Sequence, residues 1–221
     1  MNPNVDIRLA CVEDGLDNTG FRKIAAFIKS INKNTKVAYV PTANWRNLVG
    51  VLMERKGGNL QSNDITKVAE FMASGDIAAF SSMTQSAPTV YKIIAEVRRI
   101  NPKAYILWGG IHAIITPEDA IKHADAVCTG EGEFAFKTFL EHFKKGEDVT
   151  STPSFWFQKN GIVIKNRNLP LMTPKQMDEL PDLAFDVGEL VYRQDEGLKK
   201  IGRKDYLDYT GLQYGTVWSI G

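Results

Sequence analysis

The chain has 221 residues and a mass of 24.7 kDa, enough for one large domain, or for one of ~150 residues plus a remainder. Apolar residues make up 43% and charged residues 24%, which excludes wholesale disorder. The near balance of 27 basic and 26 acidic side chains predicts no general affinity for nucleic acid.

No apolar run reaches the ~18 residues of a membrane span. The opening residues Met1-Asn2-Pro3-Asn4-Val5-Asp6 lack the cationic and apolar regions of a signal peptide. The two cysteines, Cys11 and Cys128, exclude a disulfide scaffold and cannot alone fill a four-thiolate or iron–sulfur site. The resulting expectation is a soluble, cytoplasmic protein without membrane or nucleic-acid partners.

Short apolar runs alternate with helical periods over the first 146 residues. Residues 6–12 (DIRLACV) read as a strand, followed by an acidic, glycine-containing loop at 13–20. The next helix carries Phe21, Ile24, Ala25, Ile28 and Ile31 on one face. Residues 35–40 form a second strand stopped by Pro41, then a helix at 45–54 ends at Gly57-Gly58. Another helical period spans 64–73, before Gly75.

Residues 76–81 (DIAAFS) are a continuously apolar third strand, the type buried on both faces. Pro88 opens a helix through Ile100, and 104–108 (AYILW) is strand four, followed at once by Gly109-Gly110. Thr116-Pro117-Glu118-Asp119 reads as an N-cap with first-turn proline and acids. Residues 125–129 form strand five, and a helix from Glu133 groups Phe136, Phe139, Leu140 and Phe143 before Gly146.

Five strands separated by helices imply right-handed crossovers and an α/β fold: a flavodoxin-like, Rossmann-like, doubly wound parallel sheet of order 2-1-3-4-5. Ligands then belong at the carboxyl edge near strands 1 and 3. Beyond residue 146, Phe155-Trp156-Phe157, Lys159-Asn160-Gly161 and Ile162-Val163-Ile164 read as a β-hairpin with an Asn-Gly turn. Pro170, Pro174 and Pro181 mark an extended connector. Residues 187–200 read as a weak helix interrupted by Gly188 and Gly197, and 214–220 as a last strand. The organisation is therefore 1–146 as the α/β domain, 147–213 as hairpin and linker, and 214–221 as a further strand.

The loops after the strands carry the candidate chemistry. In loop one, Asp14, Gly15 and Asp17 suit either a metal-assisted phosphorylation site of receiver type or a simple helix cap. Loop three, Ser81-Ser82-Met83-Thr84, offers hydroxyls to a cofactor or to capping. Loop four, Gly109-Gly110-Ile111-His112, either admits a ligand against bare backbone or makes a tight turn. Loop five, Gly130-Glu131-Gly132-Glu133-Phe134-Ala135, matches a dinucleotide pattern formally. It follows the wrong strand, however, and its acids would repel a pyrophosphate. No nucleophile elbow, zinc-protease motif or phosphate loop occurs, so no catalytic or metal-ligating residue is assigned, and both cysteines read as inert, buried thiols.

In this order, Phe80-Ser81-Ser82-Met83-Thr84, Leu107-Trp108-Gly109-Gly110-Ile111-His112, Pro117-Glu118-Asp119-Ala120 and Gly130-Glu131-Gly132-Glu133 resemble the cobalamin-binding domain of radical S-adenosylmethionine enzymes. Asp178-Glu179-Leu180-Pro181 resembles the connector into the catalytic barrel of that family. The resemblance implies a cobalamin whose nucleotide tail enters between strands 1 and 3, with the corrin over the strand ends. Asp14, Gly15, Ser81, Ser82, Met83, Thr84, Gly109, Gly110, His112, Gly130, Glu131 and Gly132 would then contact the cofactor.

Loop one lacks the histidine that some cobalamin folds present to cobalt, which implies that cobalt takes no histidine from this domain. A Gly110→Val substitution is expected to block the corrin edge with the fold intact. Residues Thr216-Val217-Trp218-Ser219-Ile220-Gly221 resemble the first barrel strand that precedes the family's cluster-binding cysteines. The chain therefore reads as a fragment ending before a barrel in cis, which would hold a four-iron four-sulfur cluster and S-adenosylmethionine. A radical methyltransferase-like parent is expected, and a receiver-like or cobalamin-sensing module without activity is the alternative.

Overall fold

The structure is a computed structural model that describes residues 4–42, 60–183, 185, 188–194 and 196–209. The expected helix at 45–54, its Gly57-Gly58 end and the strand at 214–220 lie outside the described residues.

The strands are β1 (Ile7–Val12), β2 (Thr35–Val40), β3 (Ile77–Ser82), β4 (Tyr105–Gly109), β5 (Ala126–Cys128), β6 (Phe155–Lys159), β7 (Ile162–Lys165), β8 (Leu190–Arg193) and β9 (Gly197–Lys200). They form one sheet in the order β7-β6-β5-β4-β3-β1-β2-β8-β9. Its central five strands are parallel and follow the expected order 2-1-3-4-5. β1 lies in register with β2 on one side and β3 on the other, from Ile7 opposite Thr35 and Ile77 to Val12 opposite Val40 and Ser82.

Two apolar layers cover the sheet. On one face, helix α1 (Thr19–Ile31) packs Phe21, Ala25 and Ile28 against Leu9, Cys11, Val37 and Tyr39. On the other, α2 (Ser62–Ala73) and α3 (Ala87–Ile100) pack Val68, Met72, Val90, Ile93 and Val97 against Ala10, Val12, Ala78 and Phe80. The short helices α4 (Ile111–Ile115) and α5 (Pro117–Ala120) follow β4, and α6 (Glu133–Lys145) joins the first face through Phe136, Phe139 and Leu140. Helix α6 stops where expected, with Gly146 left-handed at φ 72°.

The hairpin expected from Asn160-Gly161 is present, with both residues at positive φ (52° and 79°) as its turn requires. It continues the main sheet, because β6 pairs antiparallel with β5. The helix expected at 187–200 is instead the pair β8 and β9, antiparallel to each other, with β8 parallel to β2. Gly188 and Gly197 adopt φ 101° and 79°, incompatible with a helix interior, while Val191 and Tyr192 find a buried strand position.

Arg22 fixes this returning segment to the core. Its side chain is fully buried beside Glu189, at 3.2 Å, and donates to the Leu16 carbonyl through Nε at 2.8 Å. The guanidinium carbon stands 4.6 Å from the Tyr39 ring, 4.4 Å from Phe185 and 5.5 Å from Tyr206. Breaking a buried ion pair strands the remaining charge, and Lys29 at 3.9 Å from Glu189 compensates only in part. Arg22→Met should lower stability by about 3 kcal/mol in urea unfolding, with part recovered when Glu189→Gln is added.

Candidate cofactor-binding site

The crossovers on either side of the β1–β3 contact lead to opposite faces of the sheet, and a cavity of about 440 Å³ opens beneath α1 at the carboxyl end of the sheet. Its floor is Leu9, Ala79, Leu107 and Cys128, one side chain from each of β1, β3, β4 and β5, and Ile24 and Ile28 of α1 form its roof. Loops three, four and five close the rim. Of the residues expected to bind a cofactor, Ser81, Ser82, Met83, Gly109, Gly110, Gly130, Glu131 and Gly132 line this one cavity. Asp14, Gly15, Thr84 and His112 do not.

Those four have local roles or positions that account for their placement. Asp14 accepts from Thr42 Oγ1 at 2.6 Å, and Gly15 turns the loop at φ 90°. Helix α1 is capped by Asn18, whose Oδ1 accepts from the Phe21 amide at 2.6 Å. Thr84 starts a turn of 3-10 helix ahead of α3.

His112 is buried behind loop four. Its Nδ1 meets Thr116 Oγ1 at 3.0 Å, its Nε2 lies 3.4 Å from the Tyr91 hydroxyl and 3.6 Å from Asp119, and its ring stands 5.0 Å from that of Trp108. The expected N-cap role of Thr116 gives way to this contact: its hydroxyl bonds to His112 and to no helix amide.

Loop four owes its second glycine to packing. Gly110 has φ +85°, and a Cβ there would come within 2.6 Å of Ser81 Oγ and 2.9 Å of the Ser82 nitrogen. The tight-turn reading is therefore sufficient for Gly110, and a Gly110→Val substitution, expected to spare the fold, would instead pry loop four from loop three. At Gly109 a Cβ would meet only ordinary contacts, 3.7 Å from Cys128. Ser82 is likewise structural in part, since its hydroxyl accepts from Trp108 Nε1 at 3.1 Å. Ser81 is half-buried at the rim, and Met83 is 40% exposed there.

Several lining residues lie outside the recognisable loops. Glu13 ends the β1 segment, Lys23 lies on α1, and Met172 comes from the connector, where its amide donates to Glu131 Oε2 at 3.0 Å. Burial raises the Glu13 carboxyl above its ordinary range, against the opposing donation from Asn18. Burial also pushes the Cys128 thiol up to about 11, consistent with an inert thiol. The apolar period of α1 pointed to its buried face, but no local signal marked Lys23 or Met172.

The B12 binding domain family model matches residues 57–140, a span that contains loops three, four and five. Over that span the chain is similar to the B12 binding domain. It is 27% identical over 132 residues to an uncharacterised methyltransferase of Pyrococcus horikoshii, covering 58% of this chain and 28% of that protein. It is 26% identical over 117 residues to the cytidylyl-2-hydroxyethylphosphonate methyltransferase of Streptomyces wedmorensis, covering 52% of this chain and 22% of that protein.

Among solved structures, the radical S-adenosylmethionine methyltransferase TsrM from Kitasatospora setae, with cobalamin and a four-iron four-sulfur cluster bound, superposes with a TM-score of 0.56 at 12% identity. The match covers 78% of this chain and 30% of TsrM. OxsB, a cobalamin-dependent S-adenosylmethionine radical enzyme with aqua-cobalamin bound, gives 0.54 at 14% identity, over 76% of this chain and 23% of OxsB. The chain thus spans less than a third of the length of each of these relatives. What is shared with them is the α/β fold with its mostly parallel sheet, and the cobalamin and the cluster belong to the neighbours' own chains.

Two outcomes are expected of loop four. Gly110→Ala should cost at least about 2 kcal/mol in urea unfolding, from strain at positive φ plus the clash, whereas Gly109→Ala should cost less than about 1 kcal/mol. Burial holds the His112 imidazole below its ordinary 6.5, outweighing the opposing pull of Asp119. The unfolded chain therefore takes up this proton at a higher pH than the folded one, and stability falls as pH drops below about 6.5. Asp119, held low chiefly by the Tyr91 hydroxyl, loses its contribution only at more acidic pH. His112→Gln should flatten the slope between pH 6.5 and 5 in urea midpoints measured across that window.

Proposed function

We propose that this chain is the cobalamin-holding module of a cobalamin-dependent radical S-adenosylmethionine enzyme, most simply a methyltransferase. The nucleotide tail would occupy the cavity beneath α1, and the corrin would lie across the carboxyl ends of β1, β3, β4 and β5. A barrel domain in the same protein would hold the iron–sulfur cluster and S-adenosylmethionine. The observation that carries this reading is the convergence of loops three, four and five on one deep, mostly apolar cavity at the β1–β3 switch point.

The residues present suit such a group. Ala79 and Gly109 keep the floor low, so a planar ring can enter between the sheet and α1. Leu9, Ile24, Leu107, Phe136 and Phe155 exclude water from it. Ser81, Gly130 and Gly132 offer hydroxyl and backbone groups at the rim, and Met83 presents its exposed thioether side chain to whatever lies over the strand ends. Cobalamin would supply methyl-carrying chemistry when bound, and this chain's share is to grip the tail and fix the orientation of the ring system.

Mixing the protein with hydroxocobalamin and desalting it should leave about one equivalent of red chromophore bound, and a colourless protein would overturn the reading. Ala79→Leu places three extra carbons on the cavity floor. It should weaken cobalamin retention by about tenfold or more, the equivalent of ~1.4 kcal/mol, while circular dichroism shows the same helix and strand content.

A further inference from the structure

Residues 167–175 are exposed except for Met172, whose side chain lines the cavity. Polar tethers hold this segment to loop five. Thr129 Oγ1 donates to Asn168 Oδ1 at 2.7 Å, and Asn168 Nδ2 donates to the Thr129 carbonyl at 3.1 Å. The Met172 amide donates to Glu131 Oε2 at 3.0 Å, so both neighbours of Gly130 are tied to the segment. A Cβ on Gly130 would stand 3.1 Å from Asn168 Cγ, which places Asn168 directly on the loop. The buried Ser154, at φ 61°, joins the two. Its carbonyl accepts from the Thr129 amide at 2.9 Å, its amide donates to the Arg167 carbonyl at 2.9 Å, and its hydroxyl accepts from the Leu169 amide at 2.9 Å.

Loop five in turn meets the roof of the cavity. A Cβ on Gly132 would come within 3.3 Å of Ile24 Cδ1, so α1 and loop five are in contact there, and entry on that side requires the loop to move. Beside the start of α6, what holds the loop is a short exposed segment with one buried side chain. Hydrogen bonds open to water and few apolar contacts mark the parts of a protein that open well before the sheet core. Because the tethers reach both neighbours of Gly130, the segment and the loop open together.

We propose that residues 167–173 are a strap that opens with loop five to admit the cavity's ligand and then closes over it, with Asn168 as its latch and Met172 as its plug. The opening belongs to the free chain. That the ligand is a corrinoid rests on the cobalamin reading above. Such a strap makes the segment after the hairpin part of the site, although it lies outside the span that resembles a B12 binding domain.

Hydrogen exchange of the free 221-residue chain tests the opening. Relative to their unfolded rates, the Leu169 and Met172 amides should exchange at least about a hundredfold faster than the β3 amides at the sheet centre. Asn168→Ala should speed both strap amides together by about tenfold and leave β3 unchanged. Adding Thr129→Val to it should change little, since the two side chains act as one pair. In stopped flow with hydroxocobalamin, Asn168→Ala should raise the association and dissociation rates together, each by about tenfold, and leave Kd within about threefold. A fixed wall that merely lost a contact would raise dissociation alone. That result would overturn the strap, as would strap amides protected as well as β3 or unequal responses of Leu169 and Met172. The cobalamin reading would survive all three. A chain that retains no hydroxocobalamin would overturn that reading instead, with the exchange result still deciding the strap.

Discussion

The parallel contact of β1 with β3 governs the rest of the molecule. Right-handed crossovers send the chain from β1 to a helix on one face and from β3 to a helix on the other. The two connections diverge, and among the described residues a cavity opens where they part. Short side chains on the strands below, Ala79 above all, extend it into a slot between sheet and helix. The cavity is therefore a product of topology first and of side-chain choice second.

Around the slot, the recognisable loop motifs divide into residues that border it and residues that hold those in place. In Gly109-Gly110-Ile111-His112 the first glycine borders the cavity across from Cys128, while the second lets loop four settle against Ser81 and Ser82. His112 lies behind them in a polar cluster with Thr116, Tyr91 and Asp119. Trp108 reaches from β4 to Ser82 at the end of β3 and ties the same two strand ends together. The motif is thus largely a device for stiffening two adjacent strand ends.

Much of this was legible from residue order. The alternation of apolar runs and helical periods led to the strand order of the central sheet, Asn160-Gly161 to the hairpin, and Gly146 to the end of α6. Bringing Ser81, Gly109 and Gly130 to one place followed from the rule that ligands bind at the carboxyl ends of parallel strands. Other features were not legible because distant contacts decide them. Residues 190–200 have a composition that suits either helix or strand, and pairing with β2 settles the matter. Lys23 reads as a solvated position on an amphipathic helix until the loops and α6 close around it. Met172 reads as part of a polar connector until its amide reaches Glu131.

The outer strands have a further consequence for how the molecule is assembled. Without β6 and β8, the five-stranded centre would end on β5 and β2 with rows of unpaired amides and carbonyls, the template on which separate chains stick edge to edge. The segment after α6 covers both margins, first beside β5 and then, after traversing the sheet, beside β2. The register partners Ala38 and Leu190 stand near opposite ends of the chain, so this closure bears the largest loop entropy in the sheet and belongs late in folding. Until it forms, a newly made chain has its central sheet in place but one sticky flank. Protection of that flank against edge-to-edge pairing thus comes late in the assembly of this sheet.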